Sequence, residues 1–383
     1  MSLTNPEALG KICKYYGERL AAHGNHKQAR SETSENFGIS VESVDRYLSY
    51  QRSQESSIKS EGDISEELLL LVKKRKMTLI EIADHFSLAP KEINAAIEKL
   101  RSKHRLIVVN SIGEISCDNE IPPNNTPATI DLTKHREVEI PIGFVTDTHL
   151  CSKYERLDVL NALYDRFESY GVSKVYHGGN AIDGEARFNK QDIHTHGLDA
   201  QCRYFGLKYP KREGITTEFI TGDDHEGWYV QREGINIGNR MQEIAEKEFN
   251  RNDLVHLGYM ERDVELVQDG GSAIMRVIHA GGGSAYAISY TSQKYVEALQ
   301  GGEKPKIVLV GHFHKFDYSY PREVHVIQGG CTVDQTPFMR KKRLQAMVGG
   351  CVLWIKQAEN GVINSLKVEW IPFYDKKFYQ YEW

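Results

Sequence analysis

Five short apolar runs in the C-terminal two thirds of the chain each end in a cluster of Asp, Asn or His beside glycine, and this series limits the fold more than any other feature. The run Glu139-Ile-Pro-Ile-Gly-Phe-Val-Thr delivers Asp147-Thr-His149. Val172-Ser-Lys-Val-Tyr-His ends in Gly178-Gly-Asn180-Ala-Ile-Asp183. Thr217-Glu-Phe-Ile-Thr ends in Gly222-Asp-Asp224-His225-Glu226. Ala273 to Ile278 runs into His279 and Gly281-Gly-Gly, and Lys306-Ile-Val-Leu-Val into Gly311-His312-Phe-His314. Residues i and i+2 of a strand point to the same side, so Asp147 and His149 share a face. In open α/β sheets ligands gather outside the carboxyl ends of the strands. Hard oxygen and imidazole donors without thiolate suit Mn²⁺, Fe²⁺, Zn²⁺ or Mg²⁺, and the neighbouring glycines let backbone approach an ion closely. Helical segments between these runs predict an α/β layer fold.

Over about residues 138–372 the series resembles the calcineurin-like metallophosphoesterase family, whose motifs read Asp-x-His, Gly-Asp-x-x-Asp, Gly-Asn-His-Asp/Glu, a lone His and Gly-His-x-His. The resemblance implies a β-sandwich flanked by helices that binds two divalent metals, Mn²⁺ first among them with Mg²⁺, Fe²⁺ or Zn²⁺ as alternatives. By position, Asp147, His149 and His314 would hold the first ion, and Asp224, His279 and His312 the second, with Asn180 bridging. His225 would protonate the leaving oxygen and Glu226 would orient it. A hydroxide activated by both metals would attack a phosphodiester in line. Thr-Asp147-Thr-His149-Leu followed by Cys151-Ser-Lys is similar to the DNA-repair nuclease branch. Two positions depart from the family: Asn180 stands where it has a bridging Asp, and Asp224 where it has an Asn. An amide has one good acceptor oxygen and bridges poorly. The exchange is reciprocal, so Asp224, or less readily Asp223, is expected to supply the bridge in a rearranged but live site.

Ahead of residue 138 helical periodicity dominates. Residues 118–137 carry three prolines and several turn formers and read as a linker. Residues 1–60 read as a helix-turn-helix-like helical domain: a helix through Ala29 and Thr33, a turn at Gly38, and a second helix capped by Ser40 that carries Glu42, Ser43, Asp45, Arg46 and Ser49. Residues 61–117 place a helix, a second helix opened by a Thr78/Glu81 capping box, a third from Lys91 and a hairpin in the order of a winged-helix domain, which they resemble. Lys91, Lys99, Arg101, Lys103 and Arg105 give that module a basic flank suited to DNA phosphates. Paired winged helices on DNA would imply a homodimer.

With 48 basic against 53 acidic residues the net charge is -5, which rules out a polycationic coat for nucleic acid but not a local basic face. There is no run approaching the roughly 20 apolar residues of a membrane span, no readable signal peptide, and the six cysteines are dispersed. A cytoplasmic setting is the expectation. Trp228 and Tyr229 follow the third motif and are candidates to stack on a base, while Arg340-Lys-Lys-Arg343 reads as a solvated loop. The function expected is metal-dependent hydrolysis of DNA by a nuclease, with the N-terminal modules positioning the substrate. The alternatives are hydrolysis of a small phosphoester or cyclic nucleotide, and a DNA-binding protein whose phosphoesterase domain is silent.

Overall fold

The structure is a computed structural model and describes residues 6–23, 25–45, 47–48, 63–121, 126–131, 139–283, 285–302 and 304–374. Arg46 and Ser49, two of the expected helix-turn-helix contacts, lie outside these residues. The first two helices are Pro6–His23 and His26–Phe37. Asn25 caps the second through the Lys27 amide, and Gly38 ends it in the left-handed region at φ 60°, a conformation glycine adopts at no steric cost. Residues 41–45 are again helical, and Tyr16, Ala29, Val44 and Leu48 close a small core beneath them.

The next module contains helices Ser65–Lys74, Leu79–Phe86 and Pro90–Ser102 and three antiparallel strands, β1 (Met77–Thr78), β2 (Ile107–Val109) and β3 (Glu114–Cys117), in the order β1-β3-β2. Ile93, Ala96, Ile97 and Leu100 recur at helical spacing and meet Leu68, Ile82, Ile107 and Ile115 in one core. Thr78 and Glu81 exchange both bonds of a capping box.

The remainder forms two six-stranded sheets. Their strands are β4 (Ala128–Asp131), β5 (Ile140–Val145), β6 (Lys174–Gly178), β7 (Thr216–Thr221), β8 (Leu254–Tyr259), β9 (Glu261–Gln268), β10 (Gly271–His279), β11 (Ile307–Gly311), β12 (Phe316–Ser319), β13 (His325–Gly329), β14 (Gly349–Gln357) and β15 (Ile363–Pro372). One sheet runs β15-β14-β5-β6-β7-β8, with β5 to β8 parallel. The other runs β12-β13-β11-β10-β9-β4, with β10, β11 and β13 parallel. Strand alternation sends Ile142, Phe144, Tyr176 and Ile220 inward against Val264, Met275, Val277, Leu309 and Ile327 of the facing sheet. Helices Leu157–Ser169, Leu198–Lys208 and Ile237–Phe249 cover the outer face of the first sheet. Tyr290–Ala298 covers Val308, Val310 and Val326 on the second. The expected series of five strands is thus divided between two sheets, β5, β6 and β7 in one and β10 and β11 in the other, so their carboxyl ends meet at one edge of the sandwich.

Within the segment read as a linker, Ala128–Asp131 is a strand paired parallel to β9. Ala128 and Ile130 turn toward the inter-sheet core while Thr129 and Asp131 face outward, an alternation hidden in sequence by the prolines just before it. The chain then binds the two halves together at residues 104–106. The Leu106 amide donates to the Gly234 carbonyl and the Asn236 amide to the His104 carbonyl, each at 2.8 Å. Arg105 donates to the Glu233 carbonyl at 2.8 Å, and His104 meets Glu243 at 3.1 Å. Hydrogen bonds from a charged donor contribute about 1.5–3 kcal/mol. Arg105→Ala is therefore expected to lower stability by about 1–2 kcal/mol and to speed proteolytic cleavage near residues 118–121. Unchanged protection in a limited-digestion time course would mean that this contact does not hold the module.

Candidate metal centre

Asp147 follows β5 and uses its two carboxylate oxygens differently. Oδ2 accepts from the Thr146 hydroxyl at 2.6 Å and from the His312 amide at 2.8 Å. Oδ1 is left facing His314 Nε2 at 3.3 Å, His149 Nε2 at 3.7 Å and Asn180 Nδ2 at 3.5 Å. His149 Nε2 and His314 Nε2 lie 3.2 Å apart. Burial alone would raise the Asp147 carboxyl, but the His314 and His149 imidazoles hold it well below the usual range. These three side chains form the first donor group.

The second group is Asp224, His279 and His312. Asp224 Oδ1 lies 3.3 Å from His279 Nε2 and Oδ2 lies 3.4 Å from His312 Nδ1. His279 Nδ1 donates to the Gly178 carbonyl at 2.7 Å and His312 Nε2 to the Gly282 carbonyl at 2.7 Å. His149 Nδ1 sits 2.7 Å from Asp183 Oδ1. Each of these rings therefore has one nitrogen tied outward and the other turned toward its cluster, the arrangement that fixes the tautomer of a metal-ligating histidine.

A divalent ion fits these groups. Asn180 Oδ1, Asp224 Oδ1 and His279 Nε2 are buried without a hydrogen-bond partner, an arrangement that costs free energy unless something else satisfies them. Donors about 2.1 Å from a common ion at tetrahedral or octahedral angles lie about 3.0–3.4 Å apart, close to the separations seen. Asn180 stands between the groups, with its amide nitrogen toward Asp147 and its oxygen near His279. A Cβ built on Gly222 would fall 2.7 Å from that oxygen and 2.6 Å from the His279 ring. Asp224, expected to supply a bridge, has both oxygens directed at the two imidazoles of its own group.

The backbone around the centre is strained. Asp147, His149, Asn180, His225, His312 and His314 all have positive φ, between 45° and 88°, which costs about 1–3 kcal/mol per residue. Main-chain bonds hold them there: Asp147 N to Gly179 O, His149 N to Asn180 O, Thr332 N to Asp147 O and Met347 N to His314 O. Gly179 has no Cβ for a reason, since one would lie 2.4 Å from His279 Nδ1.

Glu226 does not orient His225, contrary to expectation. Its carboxylate is fully buried and accepts from the Asn180 amide (2.8 Å), the Gly222 amide (2.8 Å) and the Ile182 amide (3.1 Å), tying the second and third motif loops together. Burial pushes it up to about 7 and those three bonds oppose the rise. The carboxylate behind His225 is Asp183. His225 Nδ1 donates to the Asp183 carbonyl at 3.0 Å and lies 3.1 Å from its Oδ1. Burial would raise Asp183, but hydrogen bonds from His149 and His225 outweigh it and hold the group at about 2. Asp183 lies three residues after Asn180 on the same loop, which is the only sequence signal that pointed to it. His177 was not foreseen either. The Gly179 amide donates to its Nδ1, so its Nε2 carries the proton toward Thr148 Oγ1 at 3.1 Å, and Thr148 donates onward to the Ala181 carbonyl.

The five basic residues expected to bind nucleic acid are elsewhere and none lines the metal cleft. Lys99 pairs with Asp63 at 2.6 Å and Arg101 with Glu98 at 2.8 Å. Lys103 faces Glu66 at 4.0 Å, and Arg105 is spent on Glu233. Lys91 is exposed and has no polar partner among the described residues. All six cysteines are free thiols, and no helix among the described residues is long and apolar enough to cross a membrane.

No family model matches the chain, and no curated protein matches it. Solved structures similar to it include a novel archaeal phosphodiesterase (13% identity, 61% of this chain and 100% of that one, TM-score 0.33) and Vps29 from Entamoeba histolytica in complex with Zn²⁺ (10%, 61% and 99%, 0.29). A 5′-nucleotidase precursor from Thermus thermophilus is a third (14%, 61% and 54%, 0.30).

Two outcomes are expected. Asp183→Asn removes the carboxylate behind His149 and should weaken Mn²⁺ binding about 10- to 100-fold by calorimetry; unchanged affinity would make the contact purely structural. Burial depresses His177 to about 3. The unfolded chain then binds a proton that the folded protein refuses between pH 6.5 and 3, so stability falls as pH falls through that window. The loss from this residue is about 2 kcal/mol between pH 7 and pH 5. His177→Gln should flatten the pH dependence of the melting temperature, and an equal slope in the variant would contradict it.

Proposed function

We propose that the chain is a metal-dependent phosphodiesterase that acts on DNA, a nuclease of the calcineurin-like metallophosphoesterase family. The observation that carries this reading is the pair of three-residue donor groups beside Asn180, where Asn180 Oδ1, Asp224 Oδ1 and His279 Nε2 are buried without a hydrogen-bond partner. Mn²⁺ is the favoured ion, and two ions there would supply Lewis acidity toward the phosphoryl oxygens and a water nucleophilic at neutral pH.

The chain's own residues supply the rest. Asp183 holds the Nδ1 hydrogen of His225, which leaves Nε2 as the nitrogen free to face a substrate. A proton on Nε2 passes to the leaving oxygen as its bond to phosphorus breaks and the bond from the attacking oxygen forms. Glu226 positions rather than reacts, by holding the amides of Asn180 and Gly222. Ahead of the site, the order of helices and strands from Ser65 to Cys117 supports a winged-helix module, with a helix-turn-helix-like unit before it; both would present DNA, in a homodimer as one arrangement. The internal pairing of Lys99, Arg101, Lys103 and Arg105 favours a second reading. In it the substrate is a small phosphoester and the N-terminal part a docked regulatory unit.

His225→Ala tests the assignment. Turnover of DNA, whose alkoxide leaving group needs a proton, is expected to fall about 10²- to 10⁴-fold. Hydrolysis of bis(p-nitrophenyl) phosphate, whose leaving group departs unprotonated, should fall far less, and bound metal should stay at the wild-type level. Equal losses on both substrates, or lost metal, would remove His225 from the proton-donor role. A steep fall of DNA affinity with salt would favour the nuclease over the small-substrate reading.

A further inference from the structure

A row of aromatic rings leads out of the metal centre. Trp228 lies 4.6 Å from the His225 ring at an interplanar angle of 30°. Phe188 lies 5.1 Å beyond Trp228, and Phe338 lies 6.5 Å beyond Phe188. Phe188 is 66% exposed and Phe338 52% exposed, so two phenyl rings meet each other in water rather than in a core. Large apolar side chains gathered at the surface mark a binding site more often than chance placement does. They line the same cleft, of about 770 Å³, as His149, Asp224 and His312. Phe338 belongs to the short helix Pro337–Lys342, whose Lys342 also lines the cleft and whose neighbours Arg340, Lys341 and Arg343 add positive charge.

We infer that Phe188, Trp228 and Phe338 form a stacking subsite for a nucleobase of the substrate, next to the phosphate bound at the metal centre. The inference rests on the phosphodiesterase reading above and narrows its substrate. Every base has a π-face, so stacking on aromatic side chains accepts bases without regard to sequence, while lysine and arginine beside them follow the phosphates. A paired base inside a duplex has no free face to offer. A cleft in the size range of small-ligand pockets therefore takes a strand-end or unpaired nucleotide. The substrate assigned by this geometry is single-stranded DNA or a frayed end, cut at the phosphate beside the stacked base.

Three measurements on the full chain with Mn²⁺ test it: the wild type against Phe188→Ala and Phe338→Ala, both exposed positions where truncation leaves the core intact. The first compares kcat/KM for thymidine 5′-(p-nitrophenyl phosphate) with that for methyl p-nitrophenyl phosphate, which lacks the base. Stacking is worth about 1–3 kcal/mol per base, so each variant should lose about 5- to 150-fold on the thymidine ester and less than about 2-fold on the methyl ester. The second compares oligonucleotides, and the wild type should cut a single strand faster than the same strand in a duplex. The third reads binding without turnover, by calorimetry of thymidine 5′-monophosphate against deoxyribose 5-phosphate. The base should tighten binding in the wild type, and either substitution should abolish that advantage. Hydrolysis of both esters with no advantage for the base, or equal losses on both in the variants, overturns the subsite and leaves the phosphodiesterase standing. A base advantage in binding that the variants lose, with neither ester hydrolysed, overturns the phosphodiesterase and leaves the subsite.

Discussion

The structure depends on one arrangement: two groups of three donor side chains, in which Asp147, His149, His279 and His312 are each held from behind by a hydrogen bond and turn their other donor atom toward their own group. Asp147 spends Oδ2 on Thr146 and His312 and turns Oδ1 toward His314, His149 and the Asn180 side-chain amide. His279 and His312 donate to backbone carbonyls, and His149 meets Asp183. Leaving polar atoms buried and unpaired costs free energy that a folded chain tolerates only where a ligand recovers it. The six left-handed residues of the site belong to the same cost. Their φ angles turn strand ends sharply enough to bring side chains from two sheets within reach of one another, and the surrounding main-chain bonds keep them there.

Buried polar groups outside the donor set serve that geometry. Glu226 accepts three amides from two motif loops, so it fixes Asn180 and Gly222 together. His177 and Thr148 pass a hydrogen-bond chain from the Gly179 amide to the Ala181 carbonyl beneath the first two strand ends. Asp183 carries two rings at once, His149 on the donor side and His225 on the cleft side. That couples the orientation of a candidate ligand to the orientation of the candidate proton donor.

Much of this was legible in the sequence because the donors sit next to glycines at the ends of apolar runs, where strand alternation fixes their side. The assignment of Asp147 and His149 to one face needs nothing beyond a two-residue period. What the sequence hid is tertiary. Nothing in the five runs says that β10 and β11 belong to a second sheet, nor that β12 to β15 complete the sandwich, since pairing partners far apart in the chain leave no local pattern. Adjacency of Glu226 to His225 in sequence suggests adjacency in space, whereas the left-handed turn at His225 sends the two side chains to different neighbours. Arg105 is basic and near the hairpin, which in sequence suggests a phosphate contact, yet its guanidinium joins the module to Glu233. Proline-rich composition likewise concealed the four-residue strand Ala128–Asp131.

We propose that the strand ends of both sheets build one dinuclear centre around Asn180. Anomalous X-ray scattering from crystals grown with Mn²⁺ tests it most directly. The account predicts two manganese peaks, one at Asp147, His149 and His314 and one at Asp224, His279 and His312, with the Asn180 side chain between them. A single peak, or manganese bound away from both groups, would contradict it.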